Sequence, residues 1–145
     1  MKYNQEMCDL IEQIHNLKLE TAYFIYIKFC FKLIPLLPQV HLDDVLASVE
    51  RAKLFWFDQE SSVDESELIN RRVNIIKSMQ EQNISYDVKI QPELKFSILP
   101  LWTQAPSNDI GDSLDWAFTL LKVMDIADDI ILIKLSEALS DDYSM

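Results

Sequence analysis

The pattern Glu12-Gln13-Ile14-His15 is the spacing in this chain that comes closest to assembling metal or acid–base chemistry on one helix. A glutamate and a histidine three residues apart share a helix face, and a di-iron site in a helical bundle uses two such pairs with two further glutamates. The chain has only two histidines, and the position three before His41 is Pro38. We therefore expect no metal centre here, with Glu12 and His15 as ordinary polar residues.

Asp125, Asp128 and Asp129 form a second group of potential metal ligands, since carboxylates bind hard cations such as Mg²⁺. A metal-binding loop usually needs close turns, and the chain's one glycine, Gly111, lies elsewhere in the sequence. The spacing favours helix capping or solvent exposure for these aspartates. Contact with a partner is the main alternative.

Motifs for catalysis are absent from the sequence. It contains no G-x-S-x-G elbow, no P-loop and no G-x-G-x-x-G fingerprint. The basic doublet Arg71-Arg72 is a poor footprint for nucleic acid on a chain with a pI near 4.5, and we expect both side chains to be solvated. We predict a protein that is not an enzyme, binds no cofactor and does not bind nucleic acid.

Negative charge is concentrated in residues 104–145, which hold nine carboxylates and two lysines and so carry −7 of the formal net charge of −11. An apolar set, which includes Trp116, runs through the same segment. Acids interleaved with core-forming residues indicate a folded acidic surface rather than a solvated tail. Such a surface favours cationic partners and repels nucleic acid.

We predict that this acidic surface binds a protein. Trp56 is included because a partly exposed tryptophan is a favoured interface residue, although a core position is the alternative for it. Asp64 closes the polar connection that follows Trp56. The predicted partner-binding residues are Asp112, Asp115, Asp125, Asp128, Asp129, Trp56 and Asp64.

The predicted fold is all-α. One glycine in 145 residues argues against hairpins, which depend on residues with positive φ. A chain of this length predicts one domain, built as a bundle or solenoid-like stack of six or seven helices. Alternation over Tyr86–Ile90 allows one short strand pair. The helical segments lie near 3–17, 19–34, 41–58, 64–83, 92–99, 110–124 and 126–139, with a turn and cap at Pro106–Asp109.

Cysteine usage and the chain's start favour the cytoplasm. Cys8 and Cys30 lie among apolar residues at helical spacing, which predicts two reduced, buried thiols. The first residues lack the basic start and apolar run of a signal peptide. The most apolar window, 21–37, is interrupted by Lys28 and Lys32, so we expect no membrane span.

In overall organisation the chain resembles small all-helical immunity proteins of bacterial polymorphic-toxin and contact-dependent inhibition systems. The segments that carry the resemblance are Phe29-Cys30-Phe31-Lys32-Leu33-Ile34-Pro35-Leu36-Leu37, Phe55-Trp56-Phe57, Asp64-Glu65-Ser66-Glu67-Leu68 and Leu114-Asp115-Trp116-Ala117-Phe118. The resemblance implies a non-enzymatic protein that neutralises one cognate toxin domain, often a basic nuclease. It assigns no role to any single residue.

A helical adaptor that binds a partner helix or another cationic protein is the alternative function. Both interpretations predict a protein partner and no membrane. They differ in gene context, because an immunity gene should follow the gene of its toxin.

Overall fold

A computed structural model describes residues 5–58, 60, 62–84, 87, 89–103 and 110–140. Every regular element in these ranges is helical, which confirms the all-α prediction. Two short 3₁₀ turns cover Ile34–Leu36 and Leu99–Leu101. The α-helices are α1 (Gln5–His15), α2 (Leu19–Leu33), α3 (Leu42–Phe57), α4 (Glu65–Glu81), α5 (Pro92–Phe96), α6 (Ile110–Val123) and α7 (Asp128–Ser140).

The described part of the segment proposed as a strand pair forms a turn. The backbone N–H of Ile90 donates to the carbonyl of Asp87 at 2.9 Å, and the side chain of Asp87 accepts from the N–H of Lys89. An aspartate side chain that bonds the backbone two residues on favours a turn over an extended strand. Tyr86 and Val88 lie outside the described residues, as does the predicted cap at Pro106–Asp109.

Helix α2 contains nine buried residues and packs mainly against α3 and α7. It ends at Leu33, but Ile34 keeps a helical backbone at φ −50° and ψ −47°. Ile34 precedes Pro35, and a residue before proline usually avoids the helical region. Because Ile34 is helical, this restriction does not end α2. Pro35 lacks the N–H that would continue the α-helical bonds, and the N–H of Ile34 instead reaches the carbonyl of Phe31.

The C-terminus of α6 is closed by a left-handed residue that is not glycine. Asp125 has φ 64°, and its N–H donates to the carbonyl of Lys122 at 3.0 Å. The N–H of Ile126 donates to the carbonyl of Leu121, also at 3.0 Å. These two bonds define a Schellman motif, in which glycine usually holds the left-handed position.

Helix α4 ends in the same way at Asn83, which has φ 56°. The N–H of Asn83 donates to Gln80, and the N–H of Ile84 donates to Met79 at 2.9 Å. Asparagine and aspartate tolerate the left-handed region better than most residues because their short side chains bond locally. The chain thus ends these two helices sharply without glycine.

Buried apolar side chains form two clusters. The larger joins α1, α2, α3, α6 and α7, while the smaller lies beneath α4 and contains Leu68, Ile75, Leu94 and Leu101. Cys30 is buried as predicted, whereas Cys8 is exposed; both thiols are free. Val73 is half exposed, because the buried side of α4 follows Leu68 and Ile75.

Candidate functional site

Helices α1 and α6 pack against each other and leave a groove between them with a volume of about 380 Å³. The residues that line it, called the acidic groove below, are Cys8, Ile11, Glu12, His15, Gly111, Asp112 and Asp115. The spacing of three on α1 places Glu12 and His15 on one face, as the sequence predicts. The fold adds Asp112 and Asp115 from a helix about a hundred residues further on.

The charge of the acidic groove is one-sided. Three carboxylates line it, and no lysine or arginine does so among the described residues. Glu12 is exposed and forms no ion pair in the part of the chain that the structure describes. In the same described ranges, no three His, Cys, Asp or Glu side chains are grouped so that they could hold a metal ion.

An exposed tryptophan lies beside this groove. Trp116 is 53 % exposed although it belongs to the apolar set of α6. The buried stripe of that helix runs through Leu114, Ala117 and Phe118, and residue 116 falls off it. Trp116 follows Asp112 by four residues, so their side chains are neighbours on one helix face.

The other acidic residues of the predicted surface lie at the opposite end of α6. Asp128 forms an ion pair with Lys122 at 3.3 Å, and Asp129 accepts the N–H of Ile130 in the first turn of α7. Asp125 holds the left-handed position described above. Ten residues separate Asp115 from Asp125, which is about 15 Å along a helix. The structure therefore does not bring all the predicted aspartates together.

Trp56 lies in an aromatic cluster inside the molecule. Its ring stacks on Tyr23 with centroids 5.1 Å apart and planes 6° from parallel, and its edge meets Phe24 and Phe55. Burial raises the pKa of Tyr23 to about 12. These contacts give Trp56 a packing role, which was the alternative to an interface position for this residue.

Asp64 is the N-cap of α4. Its Oδ1 accepts the backbone N–H of Glu67 at 3.2 Å and the hydroxyl of Ser66 at 2.6 Å. These hydrogen bonds, first the one from Ser66, hold the pKa of the exposed carboxyl below its ordinary value. A cap of this kind satisfies an N–H that the helix itself leaves without a partner.

A second cavity, of about 510 Å³, lies between α3 and α4 and is closed at one side by α5. The residues that line it, called the α3–α4 cleft below, are His41, Asp44, Arg51, Glu67, Asn70, Arg71, Asn74, Ile75, Ser78, Gln82 and Leu94. Sequence reasoning missed this cleft. The available signal was a row of neutral polar residues four apart on α4, at Asn70, Asn74, Ser78 and Gln82.

The arginine doublet is not simply solvated, which corrects the expectation from sequence. The Nε of Arg71 donates to the hydroxyl of Ser48 at 3.0 Å, and its Nη2 donates to the carbonyl of Asp44 at 3.2 Å. The guanidinium of Arg72 lies 3.6 Å from the centroid of the Trp102 ring. Both side chains are half-buried because each finds a partner on another element.

Comparisons of the chain with protein-family models, with curated proteins and with solved structures found no match. None of the described helices has the length and apolar character required to cross a membrane.

Proposed function

We propose that the protein binds a cationic protein domain through the acidic groove and Trp116, and that it neutralises this domain as an immunity protein neutralises its toxin. One observation carries the proposal. Three carboxylates, from Glu12 on α1 and from Asp112 and Asp115 on α6, line one groove, and the half-exposed Trp116 follows Asp112 by one helical turn.

Trp116 and the carboxylates of the groove contribute to binding in different ways: the tryptophan to the binding energy and the carboxylates to the association rate. Tryptophan is enriched among the residues that dominate binding energy, because its ring buries a large area when a partner covers it. Carboxylates steer a cationic partner toward the groove and raise the association rate. The net charge of −11 extends this attraction beyond the groove itself.

A basic nuclease domain is the partner that best suits such a surface. The nucleic-acid channel of a nuclease is cationic because it must hold phosphates, and a row of carboxylates presents similar charge to it. The resemblance to helical immunity proteins supports the same class of partner. In this role the protein acts by occupying a surface, and its own residues perform no reaction.

Gene context and a growth assay test the proposal. Whatever domain is encoded immediately upstream of this chain is expressed in a bacterial host, alone and together with this protein; the proposal expects this domain to be basic. We expect toxicity from the domain alone and growth when the wild-type protein is present. A quadruple variant, Glu12→Gln, Asp112→Asn, Asp115→Asn and Trp116→Ala, should fail to restore growth although circular dichroism shows that it folds.

A double variant at the far end of α6, Asp125→Asn with Asp129→Asn, is the matched control, because it also removes acidic charge from the same helix pair. It should restore growth as the wild type does. An upstream neighbour that is neither toxic nor bound would remove the immunity proposal. Equal protection by wild type and quadruple variant would place the interface away from the acidic groove.

A further inference from the structure

The α3–α4 cleft differs from the acidic groove because it combines both signs of charge with neutral amides. Its volume of about 510 Å³ lies within the range of small-molecule sites. The side chains of Ile75 and Leu94, both buried, form its apolar part. Nine of the eleven lining residues are polar or charged, so the cavity suits a polar ligand held mainly by hydrogen bonds and charge.

The carboxylates at the rim of the cleft already have basic partners. Glu67 forms an ion pair with Arg51, with 3.5 Å between Oε2 and Nη1. The carboxylate of Asp44 faces Nδ1 of His41 at 3.4 Å. Neither carboxylate pairs with Arg71, which bonds the backbone carbonyl of Asp44 instead.

Arg71 forms no ion pair with a carboxylate among the described residues. Its guanidinium is nevertheless held in one orientation. Its bonds to Ser48 and to the carbonyl of Asp44 are donated by Nε and Nη2, on one edge of the guanidinium, and fix its plane. A guanidinium has five N–H donors, so at least three remain for a ligand. This fork matches the two oxygens of a carboxylate.

The rest of the cleft offers hydrogen bonds without charge. Asn70, Asn74, Ser78 and Gln82 follow one another at intervals of four along α4, next to Arg71. The Nε2 of Gln82 donates to the hydroxyl of Ser78 at 3.0 Å, so the row is partly linked. Such a row suits the amide or hydroxyl groups of a polar ligand.

Near His41, the cleft borders a residue with a left-handed backbone conformation, Gln91. Gln91 has φ 49°, a left-handed conformation that is uncommon outside glycine, asparagine and aspartate. Its Oε1 lies 2.6 Å from Nε2 of His41, which lines the cleft. This contact ties the start of α5 to the start of α3 and fixes the shape of the cavity at that end.

We propose that the α3–α4 cleft binds a small monocarboxylate, with its carboxylate on Arg71 and its polar body along the row of Asn70, Asn74 and Ser78. The nearby Asp44 and Glu67, together with the net charge of −11, disfavour a doubly charged phosphate. This site uses other helices than the acidic groove and does not depend on the function proposed for that groove.

N-acetylglutamine is the probe, because it carries one carboxylate and two amides. It is titrated into the ¹⁵N-labelled protein, and backbone shifts are followed by NMR. We expect saturable shifts on α3 and α4 around Ser48 and Arg71. The neutral amide of the same compound and inorganic phosphate should each bind at least tenfold more weakly.

Variants of the two adjacent arginines give the matched comparison. Arg71→Gln should weaken binding of N-acetylglutamine by roughly tenfold or more, since a hydrogen bond to a charged group is worth about 1.5–3 kcal/mol. Arg72→Gln, which also removes one positive charge but lies on Trp102 outside the cleft, should bind as the wild type does. Ser48→Ala, which removes one of the two bonds that orient Arg71, should have an intermediate effect.

Several results would overturn the proposal: no saturable shift on α3 and α4, equal binding of the neutral amide or of phosphate, or equal loss in the two arginine variants. Should Arg71→Gln fail to fold, Arg71→Lys takes its place. Lysine keeps the charge but loses the planar fork, and wild-type affinity in that variant would likewise contradict the role of the fork.

Discussion

The acidic groove and the α3–α4 cleft differ in the charges of the residues that line them. In the acidic groove, carboxylates from α1 and α6 meet without a lysine or arginine among the described lining residues. In the α3–α4 cleft, Arg51 forms an ion pair with Glu67, while the guanidinium of Arg71 bonds Ser48 and a backbone carbonyl rather than a carboxylate. A net charge of −11 therefore does not produce a uniformly acidic surface, because two arginines line the α3–α4 cleft and none lines the acidic groove among the described residues.

The same contrast separates the two ends of α6. Asp112 and Asp115 lie at the groove, while Asp125 and Asp128 take part in the turn to α7 through a helix C-cap and an ion pair. Acidic residues that are close in sequence thus belong to different classes: those that line a cavity and those that hold the backbone. We expect substitutions of Asp112 and Asp115 to change partner binding and a substitution of Asp125 to change stability.

The largest effect should come from Trp116→Ala in binding of the basic partner domain. Loss of a central tryptophan typically costs at least about 2 kcal/mol, which is roughly 30-fold in Kd. Because the side chain is 53 % exposed, stability to urea should change little. Isothermal titration calorimetry measures the first quantity. Val73→Ala, which truncates an exposed apolar side chain on α4, is the control and should leave the affinity unchanged. An equal loss of affinity in the two variants would contradict a direct contact between Trp116 and the partner.

Neutralising the acidic groove should act mainly on the association rate. The triple variant Glu12→Gln, Asp112→Asn, Asp115→Asn should associate about tenfold more slowly at low ionic strength. The difference should shrink at 0.15 M salt, where the screening length is about 8 Å. Stopped-flow measurements at two salt concentrations test this.

The control for the rates is Asp125→Asn with Asp129→Asn at the other end of α6. If both variants slowed association equally, net charge alone would explain the steering, and the comparison between the two ends of the helix would fail.

Much of the fold follows from local sequence. The helices begin and end close to their predicted residues because the signals are short-range: acids before α4, Pro35 after α2 and Asp125 after α6. Asp112 and Asp115, which line the acidic groove, were included among the predicted partner-binding residues on charge density alone, and their role in binding stays a prediction.

The features that could not be predicted from the sequence depend on contacts between residues that are far apart in the chain. Trp116 was expected among core residues, because a tryptophan between apolar neighbours looks buried until the inward stripe of α6 is known. The α3–α4 cleft was missed since a row of neutral polar residues on α4 resembles a solvated face. The bonds from Arg71 to Ser48, 23 residues away, and to the carbonyl of Asp44 show that this face borders α3.

Removing a carboxylate at the structural end of α6 should stabilise the fold. Asp125 holds φ 64°, a region that costs most residues about 1 kcal/mol or more and costs glycine almost nothing. Glycine also gains freedom in the unfolded chain, which offsets part of this. We expect Asp125→Gly to raise the free energy of unfolding by about 0.5 kcal/mol and Asp125→Ala to lower it, both measured by urea denaturation. Partner association should be unchanged, and a stability loss in the glycine variant would contradict the cap.

The smallest effect concerns Asp64 at the start of α4, on the side of the molecule that holds the α3–α4 cleft. Hydrogen bonds from Ser66 and from the N–H of Glu67 lower its pKa in the folded state. A carboxyl with a lowered pKa contributes stability above its unfolded pKa of about 3.9, and that contribution is lost as the pH falls through the folded pKa.

Asp64→Asn is the matched variant for this effect, because asparagine caps a helix about as well but does not titrate in this range. The wild type and Asp64→Asn should have similar unfolding midpoints at pH 7. Between pH 4 and pH 2 the wild type should lose stability relative to the variant, as urea melts at a series of pH values would show. The difference should not depend on the partner domain, since Asp64 is a cap rather than part of the acidic groove. A pH-independent difference between the two proteins would mean that the carboxylate form contributes nothing at this cap.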